Sequence, residues 1–89
     1  MNGQSYDVQL FGPYADAAGA SVVRIALPAG LQEKTPTASE LMDAIARAQP
    51  QLRPMLKETR LAVNREFAAP ERMVHRDDEL ALIGLVAGG

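Results

Sequence analysis

Cysteine and tryptophan are absent from this 89-residue chain, histidine occurs once, and phenylalanine and tyrosine occur twice each. Without cysteine no disulfide staples the fold, and no thiol side chain is available to ligate a metal, attack a substrate or carry sulfur. His75 is the single imidazole, so neither a zinc ligand set nor a nucleophile-and-base pair can be assembled. So few aromatic rings leave little for base stacking. A net charge of −2, from nine basic and eleven acidic residues, exerts no long-range pull on a phosphate backbone. Nucleic acid is therefore not an expected partner.

Other absences narrow the chemistry further. Gly12, Gly19 and Gly30 make neither a G-x-G-x-x-G run nor a P-loop, so no nucleotide site is expected. Ser21, Ser39 and Thr59 have no neighbouring base in the chain. Asp77, Asp78 and Glu79 could approach a hard cation, but three adjacent acids ahead of an apolar run read as a solvated turn, and no metal is expected. The longest nearly apolar stretch, Leu80 to Gly89, is about half of the roughly 20 residues that span a bilayer. Met1 to Tyr6 is polar and lacks the basic and apolar regions of a secretory signal, which makes the cytoplasm the expected location.

What remains is the composition of one folded domain: 47% hydrophobic and 22% charged residues, at a length that supports one modest core. Tyr6, Val8 and Leu10 alternate with polar neighbours, and Val23, Ile25 and Leu27 do the same around Arg24, which predicts two half-buried strands. The connection from Gly12 to Ala20 exceeds a tight hairpin and has room for a helical turn. Pro28, Gly30 and Pro36 mark a loop. Thr37 and Glu40 then stand in the S/T-x-x-E relation of a capping box, so a helix is expected to begin there. Leu41, Ile45 and Ala48 form its apolar face and Asp43 and Arg47 an exposed i, i+4 pair, while Pro50 ends it at Gln49. Leu52, Met55 and Leu56 suggest a further short turn opening at Pro54. Leu61, Val63 and Phe67 read as one strand and Leu80 to Leu85 as the last, with Met73 and Val74 as a possible short piece between them.

Strand, strand, helix, strand, strand, with one main helix on one face of a mixed sheet, is an α+β arrangement. Residues 1–84 are expected to form the domain and residues 85–89 a flexible tail. The last strand is apolar on both faces, with Leu80 and Leu82 on one and Ile83 and Leu85 on the other. Such a strand is either buried on both sides or has an outer face that meets another protein. Phe11 continues the phase of Asp7 and Gln9, opposite to Tyr6, Val8 and Leu10. It can share a patch with Ile83 on the helix-free face, with Phe67 nearby if its strand changes phase.

The chain ends Val86, Ala87, Gly88, Gly89. Paired glycines cost the most backbone entropy to order, but without Cβ atoms they pass through slots too narrow for side chains. A terminal carboxylate, ionised at neutral pH, becomes an electrophile only after conversion to a mixed anhydride by a partner. Extended, Leu85 to Gly89 would reach on the order of 17 Å. These residues suit either an inert loose end or a carrier arm that holds sulfur or joins an amine.

Val8 to Phe11 followed by Ala15 to Gly19, then Leu61 to Glu66, then Asp77 to Ile83 leading to the Val-Ala-Gly-Gly ending, resemble the family of molybdopterin synthase small subunits, within the MoaD and ThiS group of ubiquitin-like sulfur carriers. The resemblance covers most of the chain and is poor from Pro28 to Pro36. It implies the β-grasp fold, with the first and last strands paired in parallel. It also implies that Gly89 is the reactive residue, adenylated by an ATP-dependent activating enzyme and charged by a sulfurtransferase as a thiocarboxylate. Leu85, Val86, Ala87 and Gly88 would be threaded into the large synthase subunit of a heterotetramer, which would supply the catalytic side chains and build the molybdopterin dithiolene. Phe11, Phe67 and Ile83 match apolar family positions at that interface. No cofactor is expected on this chain itself. Where the family often has two prolines before the final Val-x-Gly-Gly, this chain has Gly84 and Leu85, which predicts a less stiff tail. The thiamin thiazole carrier, other double-glycine sulfur carriers, lysine-conjugated modifiers and an inert β-grasp interaction module are the alternatives.

Overall fold

In the computed structural model, which describes residues 5–27 and 35–84, five strands form one sheet in the order β2-β1-β5-β3-β4. They are β1 (Ser5–Gln9), β2 (Val22–Ala26), β3 (Thr59–Val63), β4 (Glu66–Phe67) and β5 (Leu80–Gly84). β1 and β5 pair in parallel at the centre, and every other neighbouring pair is antiparallel. The helices lie in the chain between β1 and β5: one joins β1 to β2 and the others lie between β2 and β3. This is the β-grasp, ubiquitin-like fold.

Alternation in the first two strands has the predicted consequence. Tyr6, Val8, Val23 and Ile25 are buried, as are Leu10 and Leu27 just beyond the strand ends. The first connection folds into α1 (Pro13–Ala18). Pro13 opens it with φ already suited to a helix, and Gly19 closes it in the left-handed conformation. Tyr14, which the periodicity did not single out, is buried on its inner side.

α2 (Ala38–Ala48) begins at the predicted capping box: Glu40 N–H donates to Thr37 Oγ1 at 3.1 Å and Thr37 N–H to Glu40 Oε1 at 2.9 Å. The segment before β5 completes the cap. Ala38 N–H donates to the Arg72 carbonyl and Ser39 N–H to that of Pro70, at 2.8 and 2.9 Å. The donors of the first turn are thus used within the protein. Met73 forms a single bridge with Thr37 and Val74 is fully buried, so the short piece anticipated there exists as a bridge to the helix entrance.

Three sequence expectations are corrected. The buried face of α2 is Ala38, Leu41, Ala44 and Ile45; Ala48 has the right angular position but lies exposed at the last residue, where the chain turns away. A 3-10 helix (Pro50–Glu58) opens at Pro50 and contains Pro54 in its interior. Leu52 is its fully buried residue, with Met55 and Leu56 packed against the core. Finally, Leu61, Val63 and Phe67 do not share one strand. Asn64 and Arg65 both take positive φ, 53° and 72°, and so make the two-residue turn that matches strand twist in a hairpin. Without the usual glycine, periodicity ran through it.

That turn is tied to β5. Asn64 N–H donates to the Glu79 carbonyl at 2.8 Å and Glu79 N–H to Asn64 Oδ1 at 2.9 Å. Asn64 Nδ2 donates to Asp78 Oδ1 at 3.0 Å, while Asp78 Oδ2 accepts from His75 N–H at 2.8 Å. The acidic run is therefore a structural turn, and no cluster suited to a metal occurs among the described residues. The His75 N–H and then the Asn64 amide hold the Asp78 carboxyl below its usual pKa. A depressed carboxyl contributes stability above its unfolded pKa and loses it as pH falls through the folded one. Asp78→Asn is expected to lower the urea midpoint at pH 7, with the gap to wild type narrowing below about pH 4, the ordinary aspartate range; a gap constant with pH would contradict this.

Candidate functional site: an apolar depression on the helix-free face

Helices cover one face of the sheet, and on the other a single register row crosses four strands. Gln9 pairs with Ala81, Ala81 with Ala62, and Ala62 with Phe67. Two alanines in the middle of the row leave a floor too low to fill the space between longer neighbours. Ile83 lies two residues beyond Ala81 and Phe11 two beyond Gln9, so strand alternation directs both to this face. The result is a shallow cavity of about 400 Å³ with Ala62, Ala81 and Ile83 below and Phe11 and Phe67 beside it.

Phe11, Phe67 and Ile83, the interface residues expected from sequence, thus come together. Phe11 is 53% and Phe67 55% exposed, and Ile83 is half-buried. The last strand is not buried on both sides: Leu80 and Leu82 are core, whereas Ile83 is half-buried and lines the cavity on the outer face. Phe67 arrives by the hairpin, as the partner of Ala62, and not by a phase change within one strand. Ala62 and Ala81 went unnoticed in the sequence because an alanine between leucines or valines carries no periodic signal. Their pairing makes them the floor.

A polar rim completes the depression. Gln9 Nε2 donates to Glu79 Oε2 at 3.4 Å, and Arg65 Nε lies 3.7 Å from Glu79 Oε1. Both Arg65 and Glu79 face solvent, so the ion pair adds little to stability. Arg65 nevertheless holds φ 72°, a conformation that costs a non-glycine residue about 1–2 kcal/mol. Farther along the face Asp7 and Arg24, opposed across β1 and β2, pair at 3.1 Å.

Ser21, Ser39 and His75 lie exposed, and Thr59, the one buried polar residue among those described, is engaged in hydrogen bonds with Tyr14 and the Met55 carbonyl. An apolar floor with aromatic walls and a polar rim has the make-up common to protein interfaces. Gly89 and the tail residues Leu85, Val86, Ala87 and Gly88 lie outside the described residues, as do Pro28 and Gly30 of the loop.

The sequence matches the model of the ThiS family over residues 8–89. No curated protein matches it significantly. Among solved structures, SAMP1 of Haloferax volcanii, small archaeal modifier protein 1, is 28% identical, with 96% of this chain and 99% of that one covered and a TM-score of 0.75. A molybdopterin-converting factor subunit 1 assigned in Pyrococcus furiosus is 16% identical over 93% of this chain and 99% of its own, with a TM-score of 0.73. The complex of subunits 1 and 2 of molybdopterin-converting factor from Helicobacter pylori contains a chain 22% identical, covering 97% of this chain and 100% of that one, with a TM-score of 0.61. The last two likenesses establish the fold.

Two expected outcomes follow from the exposure of the cavity walls. Phe11→Ala and Phe67→Ala are each expected to cost less than about 1 kcal/mol in chemical denaturation, against about 3–5 for a core phenylalanine; a core-sized loss would place the ring inside. Arg65→Gly is expected to raise stability by up to about 1 kcal/mol, since glycine carries no penalty at positive φ. An unchanged or lower melting temperature would count against strain at this turn.

Proposed function

Because this chain belongs to the ThiS family, we propose that it is a sulfur carrier whose Gly89 carboxylate does the chemistry while the domain docks it onto partners. The observation that carries this reading is the open apolar depression around Ile83, in the same strand that leads toward Val86, Ala87, Gly88 and Gly89. In the first step a Gly89 carboxylate oxygen attacks the α-phosphorus of ATP on an activating enzyme and pyrophosphate leaves. In the second a sulfur nucleophile, in its simplest form hydrosulfide, attacks the acyl carbon, and AMP departs with the bonding electron pair. The product is a thiocarboxylate, which supplies the sulfur that this cysteine-free chain cannot carry on a side chain.

Within that reading, we assign the carrier to molybdopterin synthesis as its small subunit, donating sulfur for the dithiolene. The Val63-Asn64 (V-N) segment, the acidic turn and the Val-Ala-Gly-Gly ending support this, as does the likeness to a chain that assembles with subunit 2 of molybdopterin-converting factor. The large subunit would rest on Phe11, Phe67 and Ile83 and receive Leu85 to Gly88. A second reading is protein modification, in which the activated Gly89 forms an amide with lysine. The likeness to SAMP1, higher in identity and in TM-score, favours it. Thiazole synthesis is the third destination for the same thiocarboxylate.

Mass spectrometry after incubation with ATP, sulfide and an activating enzyme distinguishes these readings. A carrier gains the mass of one oxygen-to-sulfur replacement at Gly89, and a modifier appears joined to lysine. No change with any activating enzyme would leave only an interaction module. Deletion of Gly89, or a permanent extension beyond it, is expected to abolish transfer with folding intact. Phe11→Ala is expected to weaken large-subunit binding by at least tenfold, about 1.4 kcal/mol; unchanged affinity would remove Phe11 from the interface.

A further inference from the structure

Tyr14 has no part in the depression, since it lies on the other side of the sheet, yet it meets β5 at the strand's last residue. Tyr14 is 8% exposed, and its hydroxyl lies 2.6 Å from Thr59 Oγ1. The Thr59 hydroxyl itself donates to the Met55 carbonyl at 2.6 Å. A threonine hydroxyl has one hydrogen, so the Tyr14 hydroxyl is the donor to Thr59. Tyr14 of α1, Met55 of the 3-10 helix and Thr59 of β3 are thereby joined by two hydrogen bonds.

Gly84 is the register partner of Thr59. A Cβ built on it would stand 2.8 Å from the Tyr14 hydroxyl oxygen, with the nearest ring carbons at 3.6 Å. The oxygen alone would have to shift to admit a side chain there, because the carbons are at ordinary contact distance. The missing Cβ of Gly84 and the hydroxyl of Tyr14 are two halves of one contact. A glycine left to itself has the widest backbone freedom of any residue. Here it is covered by a ring that is in turn held by Thr59.

We propose that Tyr14 is a positioning residue that fixes the end of β5 and so sets where the chain leaves the domain toward its reactive terminus. The functional consequence rests on the carrier reading. A carboxylate delivered into a partner's site reacts faster when fewer orientations of its arm have to be searched. Because Phe11 and Ile83 lie on the opposite face, docking and delivery have separate determinants. Loss of the Tyr14 contact should slow delivery without weakening docking.

The test uses the full chain as Tyr14→Phe, Gly84→Ala and the double variant, with two readouts. In amide hydrogen exchange on the isolated protein, each single variant is expected to speed exchange at Thr59, Arg60, Ile83 and Gly84 on the order of fivefold, the scale of one net hydrogen bond. Once the oxygen is gone, Gly84→Ala adds nothing, so the double variant should match Tyr14→Phe. Additive effects, or no change in Tyr14→Phe, would overturn the keyed contact. In adenylation by an activating enzyme, followed by pyrophosphate release, Tyr14→Phe is expected to lower kcat several-fold at unchanged KM for the carrier. A raised KM with unchanged kcat would overturn the positioning role. Failure of the wild-type chain to be adenylated by any enzyme would remove the carrier reading, while the exchange comparison would still decide the contact.

Discussion

Parallel pairing of β1 with β5 at the centre of the sheet is the constraint on which the other features depend. It places the last strand between the first and the third, so that Leu80 and Leu82 can be buried beneath the helices while Ala81 and Ile83 face outward. The chain between β1 and β5 supplies α1, α2 and the 3-10 helix as the cover for one face. The pairing also brings Gln9, Ala81, Ala62 and Phe67 into one row, though the first and last of these are far apart in the chain. The depression is a product of that row.

Two of the family-like motifs acquire a common physical role in the structure. Asn64 of the V-N segment and Asp78 and Glu79 of the acidic turn bond to one another. Together they join the β3–β4 hairpin to the start of β5, and the hairpin in turn carries Phe67 to the cavity wall. Their spacing in the chain reflects one contact between two turns. The carboxylates of Asp78 and Glu79 are both aimed at neighbouring donors.

The two ends of β5 are treated differently. At its start the acidic turn holds the backbone through main-chain and amide hydrogen bonds. At Gly84 the contact is steric, a hydroxyl over a residue without Cβ. Replacement of family prolines by Gly84 and Leu85 predicted a looser tail from backbone preference alone. At Gly84 packing supplies a restraint that the residue's own conformational preference does not. The expectation for Leu85 concerns residues outside those described.

How much was legible in the sequence varied with the range of the interaction. The alternation of Tyr6, Val8 and Leu10, the Thr37–Glu40 capping box and the helix stop before Pro50 are local, and each appears as read. The opposite phase of Phe11 also sufficed to put it on the outer face. Where a turn used unusual residues, as at Asn64 and Arg65, local pattern failed, because positive φ at an arginine leaves no trace in hydrophobic periodicity. The sequence by itself determined the first two strands with their inward-facing residues, and the start and end of the main helix. Only the tertiary structure decided that two alanines form a floor, that Phe67 reaches it, and that Tyr14 meets Gly84, since each depends on which distant strands and helices become neighbours.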